Sequence, residues 1–237
     1  ELLAKIRYPG WKLDPKAAIA RYKQELLNEH GSDFVPYTFQ IPVSVAVAKV
    51  GADFRIIDLV ALDEPKYRAH VITEHFWDGW KKYQQPAFVT FNGRTFDLPV
   101  MEQCAFRYGI PAPDWFKTKG PTYEQPRYRF NDSWHIDVQD FLTNYGATRY
   151  TGGLNLAAQL MGKPGKGEID GSQVQEYFDK GKIAEINDYC RCDVLDTYFV
   201  FLRTRVLAGQ LTLAKEQEIV AATKQWIEVR ADASPAY

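Results

Sequence analysis

Short runs of β-branched and aromatic residues alternate with longer segments of helical period, and this alternation restricts the fold more than any other feature of the sequence. Residues 43–50 and 54–62 flank the turn residues 51–53, which predicts an antiparallel hairpin. Residues 87–91 are continuously apolar, as is typical of a central parallel strand. The pattern predicts an α/β domain in which helices cover a mixed sheet.

Apolar residues at helical spacing predict the elements that cover this sheet. The predicted helices are 15–28, 64–83, 96–108, 154–160, 174–205 with an interruption near Gly181, and 215–229. Residues 1–40 otherwise have the character of an irregular entry segment, and residues 134–141 contain a further strand end. We expect residues 1–237 to form one domain, since 46% of them are hydrophobic and a chain of this length can bury a large core.

Charge and cysteine content restrict the class of protein. The 29 Lys and Arg residues balance 30 Asp and Glu residues, so any nucleic-acid binding must use a local groove. No apolar run approaches the roughly 20 residues that span a bilayer, and we expect no membrane partner. The three cysteines are an odd number, which favours a reducing compartment, the cytoplasm. Cys190 and Cys192 lack a second ligand pair nearby, so helix packing is favoured over zinc binding.

Residues 91–99, FNGRTFDLP, are the first segment with chemical content, and they lie where a predicted strand gives way to a helix. Loops at strand ends are where open α/β sheets bind ligands. The carboxylate of Asp97 is a suitable metal ligand, and Asn92 with the backbone at Gly93 can approach a substrate closely. The alternative is that Thr95 or Asp97 caps the helix. Both interpretations remain open.

Tyr189 and Asp193 are the second candidate pair, four residues apart and therefore on one face of a predicted helix. Ile186 and Val200 belong to the same stripe, which is largely apolar. A carboxylate in such a stripe is costly unless it is paired, hydrogen-bonded or bound to a cation. A lysine or a metal ion would satisfy Asp193 equally well.

Together these segments resemble a known family. N-x-x-x-F-D-x-P at 92–99 and Y-x-x-x-D at 189–193 are similar to the second and third exonuclease motifs in the proofreading domains of family B DNA polymerases. Nearly the whole chain resembles the predicted 3′→5′ exonuclease family related to those domains. The segments that carry this resemblance are FVTFNGRTFDLPV, HIDVQDFL, EIDGSQVQEYF and IAEINDYCRCDVLDTYFVFLR. It implies a ribonuclease H-like mixed sheet flanked by helices, of the DEDDy branch that uses four carboxylates and a tyrosine.

The resemblance also implies an activity and a set of site residues. The implied activity is hydrolysis of phosphodiester bonds at the 3′ end of single-stranded DNA or RNA by two Mg²⁺ or Mn²⁺ ions. Asp97 and Asp193 are implied as metal ligands and Tyr189 as the residue that orients the attacking water. Asn92 is implied to contact the 3′ end, and Phe96 to pack beneath the site or stack on a base.

The sequence departs from the family at the first motif. This motif is an Asp-x-Glu on the opening strand and supplies two of the four carboxylates, but it is not found before residues 43–50. Residues 1–3 resemble the segment just downstream of it, so we expect the opening strand to lie upstream. The alternative is a nucleic-acid-binding module that keeps the fold and has lost the chemistry. A resolvase or ribonuclease of the same fold is disfavoured by Tyr189, whose role belongs to the exonuclease branch.

His135 and Asp137 lie near a predicted strand end. Asp137 either reaches the site or caps a turn or helix, and capping is the favoured interpretation. His135 is interpreted as structural or substrate-facing, because the tyrosine branch does not use a histidine at this position.

Two basic segments are candidates for gripping the substrate. Arg127 and Arg129 flank Tyr128 and combine positive charge with an aromatic face, as single-strand binding surfaces do. Lys163 and Lys166 belong to a glycine-rich loop and are candidates for phosphate contacts. Solvated loops are the alternative for both segments.

Overall fold

The computed structural model describes residues 1–163 and 171–233, with side chains described as far as residue 230. The chain divides into two compact units, Glu1–Ile41 and Pro42–Tyr237. Lys166 and most of the predicted glycine-rich loop lie outside the described residues. The prediction of a single domain stays a prediction.

The first unit has two helices, α1 (Leu2–Arg7) and α2 (Pro15–His30). Asp14 caps α2 by accepting hydrogen bonds from the amides of Lys16 and Ala17, at 2.8 and 2.9 Å. The helices bury a small core of their own: Leu3, Tyr8, Ala18, Tyr22 and Leu26. The predicted helix at 15–28 is thus confirmed. The expected irregular entry segment is more regular than predicted, because α1 and α2 bury apolar side chains against each other.

The predicted hairpin is present in the second unit. Strands β1 (Ala46–Val50) and β2 (Ile56–Ala61) are antiparallel, with Val47 opposite Val60. The two flanking runs had been predicted as longer strands, and both shorten at their ends.

A second strand pair forms where the next apolar run was predicted. Strands β3 (Phe88–Thr90) and β4 (His135–Asp137) are parallel, with Thr90 opposite Asp137. Within the described residues, no hydrogen-bonded ladder joins this pair to the hairpin. A strand belongs to a sheet only through such a ladder, so the single mixed sheet is replaced here by two small sheets. The α/β class is confirmed, and the ribonuclease H-like arrangement stays a prediction.

Helices surround the two sheets. In chain order they are α3 (Ala69–Lys82), α4 (Asp97–Tyr108), α5 (Val138–Leu142), α6 (Gly153–Leu160), α7 (Val174–Asp179), α8 (Ile183–Leu207) and α9 (Leu213–Ala233). Helix α8 packs against β1, β2 and β3 and therefore contacts both strand pairs. The predicted break near Gly181 is confirmed between α7 and α8, where this residue has a φ of 71°.

An aromatic core fixes the position of α4. Trp77 and Trp80 of α3 pack with Trp115, and the ring of Trp80 stacks on that of Phe88 in β3 at 5.5 Å. Leu98 joins the same cluster from the first turn of α4. The residue before it in the chain is Asp97, so the core determines where this candidate ligand lies.

Candidate active site

Asp97 is the first residue of α4, at the end of the loop that follows β3. The preceding N-cap residue, Phe96, makes no capping hydrogen bond through its side chain. Thr95 does not cap the helix either, because its hydroxyl donates to the side-chain and backbone oxygens of Asn92, at 2.7 and 3.1 Å. Neither Thr95 nor Asp97 is therefore the N-cap of α4, although the carboxylate of Asp97 accepts a hydrogen bond from its own backbone amide.

Asp137 holds the loop between β3 and α4. Its carboxylate accepts hydrogen bonds from the backbone amides of Asn92 and Arg94, both at 2.9 Å. The same carboxylate caps α5 by accepting from the amides of Gln139 and Asp140, at 3.0 and 3.3 Å. The predicted helix-capping role of Asp137 is confirmed, and the bonds to the loop add a contact that the sequence did not reveal.

Asn92 adopts a left-handed conformation, with a φ of 61°. Its Oδ1 accepts hydrogen bonds from the hydroxyl of Thr95 and from Nε2 of Gln139, the latter at 3.1 Å. Among the described residues no acceptor is hydrogen-bonded to Nδ2 of Asn92. These bonds orient the side-chain amide with its oxygen inward. Its NH₂ group is then the one that remains to donate to a ligand.

Gly93 follows at a point where only a residue without a side chain fits. A Cβ at this position would lie 2.5 Å from both Cβ and Oγ1 of Thr90. Thr90 cannot easily move aside, because its hydroxyl is hydrogen-bonded to Nε2 of His135 at 2.8 Å. Close packing of the loop against the Thr90 side chain thus requires the glycine. The predicted close approach of this backbone to a substrate stays a prediction.

His135 is structural rather than catalytic. It is 1% exposed, and burial together with the nearby charge of Arg94 lowers its pKa from 6.5 to about 3. The imidazole is therefore neutral at physiological pH. The structural interpretation of His135 is confirmed by this burial and by its bond to Thr90.

Helix α8 brings the second motif to the same place. The pKa of Asp97 is raised from 3.8 to about 6, chiefly by burial, then by the charge of Asp137 and also by that of Asp193. Burial likewise raises the pKa of the Cys190 thiol, with smaller contributions from the charges of Asp193 and Asp97. The carboxylates of Asp193 in α8 and Asp97 at the start of α4 are therefore electrostatically coupled.

The carboxylate of Asp97 is partly shielded from solvent. Asp97 keeps an exposed surface, yet desolvation is the largest cause of its raised pKa. A group of carboxylates that concentrates negative charge attracts cations.

Helix α8 is held in register by polar contacts on either side of Tyr189. Asn187 is 1% exposed and accepts a hydrogen bond from the hydroxyl of Ser44, at 2.5 Å. Arg191 is buried and pairs with Glu64 at 2.6 Å. These contacts fix the rotation of the helix and hence the face on which Tyr189 and Asp193 lie.

Tyr189 is half-buried, and its phenol lies near Gly171. A Cβ at Gly171 would be 4.0 Å from Oη of Tyr189. The segment that contains Gly171 was one of those that carried the family resemblance, and the structure now connects it to the helix motif.

The described residues do not by themselves form a metal site. Within 1–163 and 171–233, no group of three or more His, Cys, Asp and Glu side chains is arranged to hold a metal ion. Asp97 and Asp193 have the oxygen donors and the mutual repulsion that a divalent cation relieves. Asp137 already accepts four backbone hydrogen bonds and has little capacity left. The donor chemistry fits a divalent cation, and further ligands would complete the site.

The two arginines predicted to bind substrate are engaged by carboxylates. Arg127 binds both carboxylate oxygens of Glu102, at 3.0 and 2.8 Å. Arg129 donates to Asp140 at 3.1 Å and to the carbonyl of Tyr145 at 2.8 Å. About half of each arginine side chain is exposed. Their role in substrate binding stays a prediction.

Arg94 is a site residue that the sequence analysis missed. Its Nε donates to Asp140 at 2.9 Å and its Nη2 donates to the carbonyl of His135 at 3.1 Å. It thus links the loop after β3 to β4 and α5. Because its partners are more than 40 residues away in sequence, no local pattern indicated this contact.

Comparison with known proteins gives two findings. A family model described as "Predicted 3'-5' exonuclease related to the exonuclease domain of PolB" matches residues 32–236. The chain is also similar to a DNA polymerase of Archaeoglobus fulgidus, with 23% identity over 186 residues. This match covers 78% of the chain but 22% of the polymerase, so the chain spans about a fifth of that protein. In the described part of the chain, no helix combines the length and apolar character needed to cross a membrane.

Proposed function

Because this chain belongs to the family of predicted 3′-5′ exonucleases related to the exonuclease domain of PolB, we propose that it removes nucleotides from the 3′ end of single-stranded DNA or RNA. One observation carries the proposal. Asp97 and Asp193 belong to distant segments, yet Asp193 lies close enough for its charge to raise the pKa of Asp97. Paired carboxylates are the donor set that phosphodiester hydrolysis by divalent ions uses.

The proposed cofactor is a pair of Mg²⁺ or Mn²⁺ ions. When bound, such ions would activate water and neutralise charge at the scissile phosphate. Asp97 and Asp193 would hold them through carboxylate oxygens. The other two carboxylates of the DEDDy set are proposed to come from an Asp-x-Glu on a further strand, upstream of residues 43–50. This addition would complete the site that the described residues leave with two suitable ligands.

The remaining roles are proposed from the family resemblance. Tyr189 is on the α8 face of Asp193, and its phenol would hydrogen-bond the attacking water and orient it. The side-chain amide NH₂ group of Asn92 would donate to an acceptor at the 3′ end of the strand. Phe96 would pack beneath the site or stack on a terminal base. Arg127 and Arg129 keep about half of their surface exposed and would contact phosphates further along the strand.

A nucleic-acid-binding module without chemistry is the second candidate. It is favoured by one observation, that no group of three or more potential ligands is arranged to hold a metal within the described residues. Both candidates predict binding of a single strand, and they differ in turnover. We also propose the cytoplasm as the compartment, on the odd number of cysteines.

Shortening of a 5′-labelled single strand tests the proposal. DNA and RNA would be incubated in parallel with Mg²⁺ or Mn²⁺ and the protein, both as residues 1–237 and as a version extended by any upstream residues that its gene encodes. A ladder of products shortened from the 3′ end is expected. Asp193→Ala should abolish it, whereas Asp78→Asn, which alters an exposed carboxylate on α3, should not. Strand binding without any ladder, even with the upstream residues present, would favour the binding module.

A further inference from the structure

The carboxylate of Asp137 is unusually well satisfied for a side chain near a reactive site. It is 3% exposed and accepts four backbone hydrogen bonds. A buried carboxylate is costly unless it is fully hydrogen-bonded. These four bonds account for its burial, and they leave it poorly suited to binding a cation.

Two of those bonds serve helix α5 and two serve a different segment. The amides of Gln139 and Asp140 are the local donors, as at any capped helix. The amides of Asn92 and Arg94 come from the loop after β3. A residue that only capped α5 would have no need of the second pair.

The loop held in this way leads directly into the proposed site. Its backbone continues into α4 through hydrogen bonds from the amide of Thr95 to the carbonyl of Asn92, at 3.2 Å, and from the amide of Leu98 to the carbonyl of Gly93, at 2.9 Å. Asp97 lies between these donors in sequence. Displacement of the loop would therefore move Asn92 and Asp97 together.

We propose that Asp137 is a positioning residue, which fixes the backbone of residues 92–94 so that Asn92 and Asp97 face the reacting strand. The inference rests on the proposed exonuclease function for its catalytic consequence. Its structural half, that one carboxylate holds this loop, stands on the hydrogen bonds alone. Positioning matters because a misplacement of about 1 Å at a reacting group lowers turnover by roughly 100-fold.

Serine at position 137 separates capping from positioning. A serine hydroxyl remains a good N-cap for α5, but its side chain is shorter and cannot bridge to both amides of the loop. Asp14→Ser is the matched control, because Asp14 caps α2 through the same two local bonds and is the same residue type. Asp137→Asn serves as the conservative variant. Its Oδ1 can still accept the bonds from Asn92, Gln139 and Asp140, whereas the amide NH₂ group that replaces Oδ2 cannot accept the bond from Arg94.

Two readouts would be taken on each variant. Amide hydrogen exchange at residues 92–94 is expected to accelerate by about 10- to 100-fold in Asp137→Ser, as loss of bonds to a charged acceptor implies, with exchange in α5 unchanged. In the exonuclease assay kcat should fall by roughly 100-fold, with KM for the strand within about threefold of the wild-type value. Asp137→Asn should recover part of both effects, and Asp14→Ser should show neither.

Exchange at 92–94 that is unchanged in Asp137→Ser would overturn the proposal, as would faster exchange with kcat within about twofold of wild type. Loss of protection in α5 and the loop alike would show a helix cap and nothing more, and would also overturn it. A wild-type protein that is inactive with its upstream residues included would refute the proposed function instead. In that case the exchange data still decide whether Asp137 holds the loop.

Discussion

Asp97→Asn is expected to stabilise the folded protein at neutral and alkaline pH, although it removes a proposed catalytic group. The pKa of Asp97 is raised from 3.8 to about 6, first by burial and then by the charges of Asp137 and Asp193. Between these two values the unfolded chain ionises before the folded one. Stability is therefore lost as pH rises through this window, and the full cost is present above about pH 6. Asparagine removes that cost.

The size of the effect follows from the same pKa. A displacement of this extent corresponds to about 3 kcal/mol for a group without solvent contact. Asp97 keeps an exposed surface, and solvent screens its charge, so we expect a gain of between about 1 and 2 kcal/mol. At about pH 4 most of the gain should disappear, because the folded chain is then protonated at this residue and the unfolded chain is ionised to only about half.

Urea unfolding in the presence of a chelator measures the gain. Wild type, Asp97→Asn and the exposed control Asp78→Asn would be compared at about pH 8 and about pH 4. In an Asp193→Asn background the gain from Asp97→Asn should be smaller, since one source of repulsion is already absent. A gain that does not depend on pH, or a loss of stability at about pH 8, would refute the placement of Asp97 beside the other two carboxylates.

Three further changes test the packing of Gly93, the burial of His135 and the contact between α8 and α9. Gly93→Ala should lower the free energy of unfolding by about 1 to 3 kcal/mol, because its Cβ would overlap Thr90; an unchanged urea midpoint would contradict this. In wild type, the His135 imidazole takes up a proton on unfolding, so the free energy of unfolding should fall between about pH 6.5 and pH 4. His135→Gln should reduce the slope of this fall by up to about 1.4 kcal/mol per pH unit. Equal slopes in wild type and variant would argue against burial of His135 as a neutral group. Arg203→Met should lower the free energy of unfolding by about 2 to 3 kcal/mol, because it leaves the buried Glu216 without the ion-pair partner that lies 3.0 Å away. Adding Glu216→Leu should recover most of this stability, as measured by thermal unfolding.

Local elements of this protein follow from its sequence because they depend on neighbouring residues. The hairpin was predicted from two apolar runs around a turn, and the helix at Asp97–Tyr108 from its apolar period and from Gly109, which ends it in a left-handed conformation with a φ of 68°. The spacing of Tyr189 and Asp193 placed both on one face of α8 without any tertiary information. The family resemblance rests on the same local motifs.

The approach of distant segments was decided by tertiary packing. The sequence favoured helix capping for Asp137, and the structure shows this capping together with bonds to a loop more than 40 residues away, which no local pattern indicated. The separation of the strands into two sheets also follows from pairing, which a single strand's sequence does not specify. Side-chain period is a property of one segment. The charges that act on Asp97 come from two other segments, at Asp137 and Asp193, and tertiary packing brings them together. For this reason the residue types of the site were predictable, and their electrostatic coupling was not.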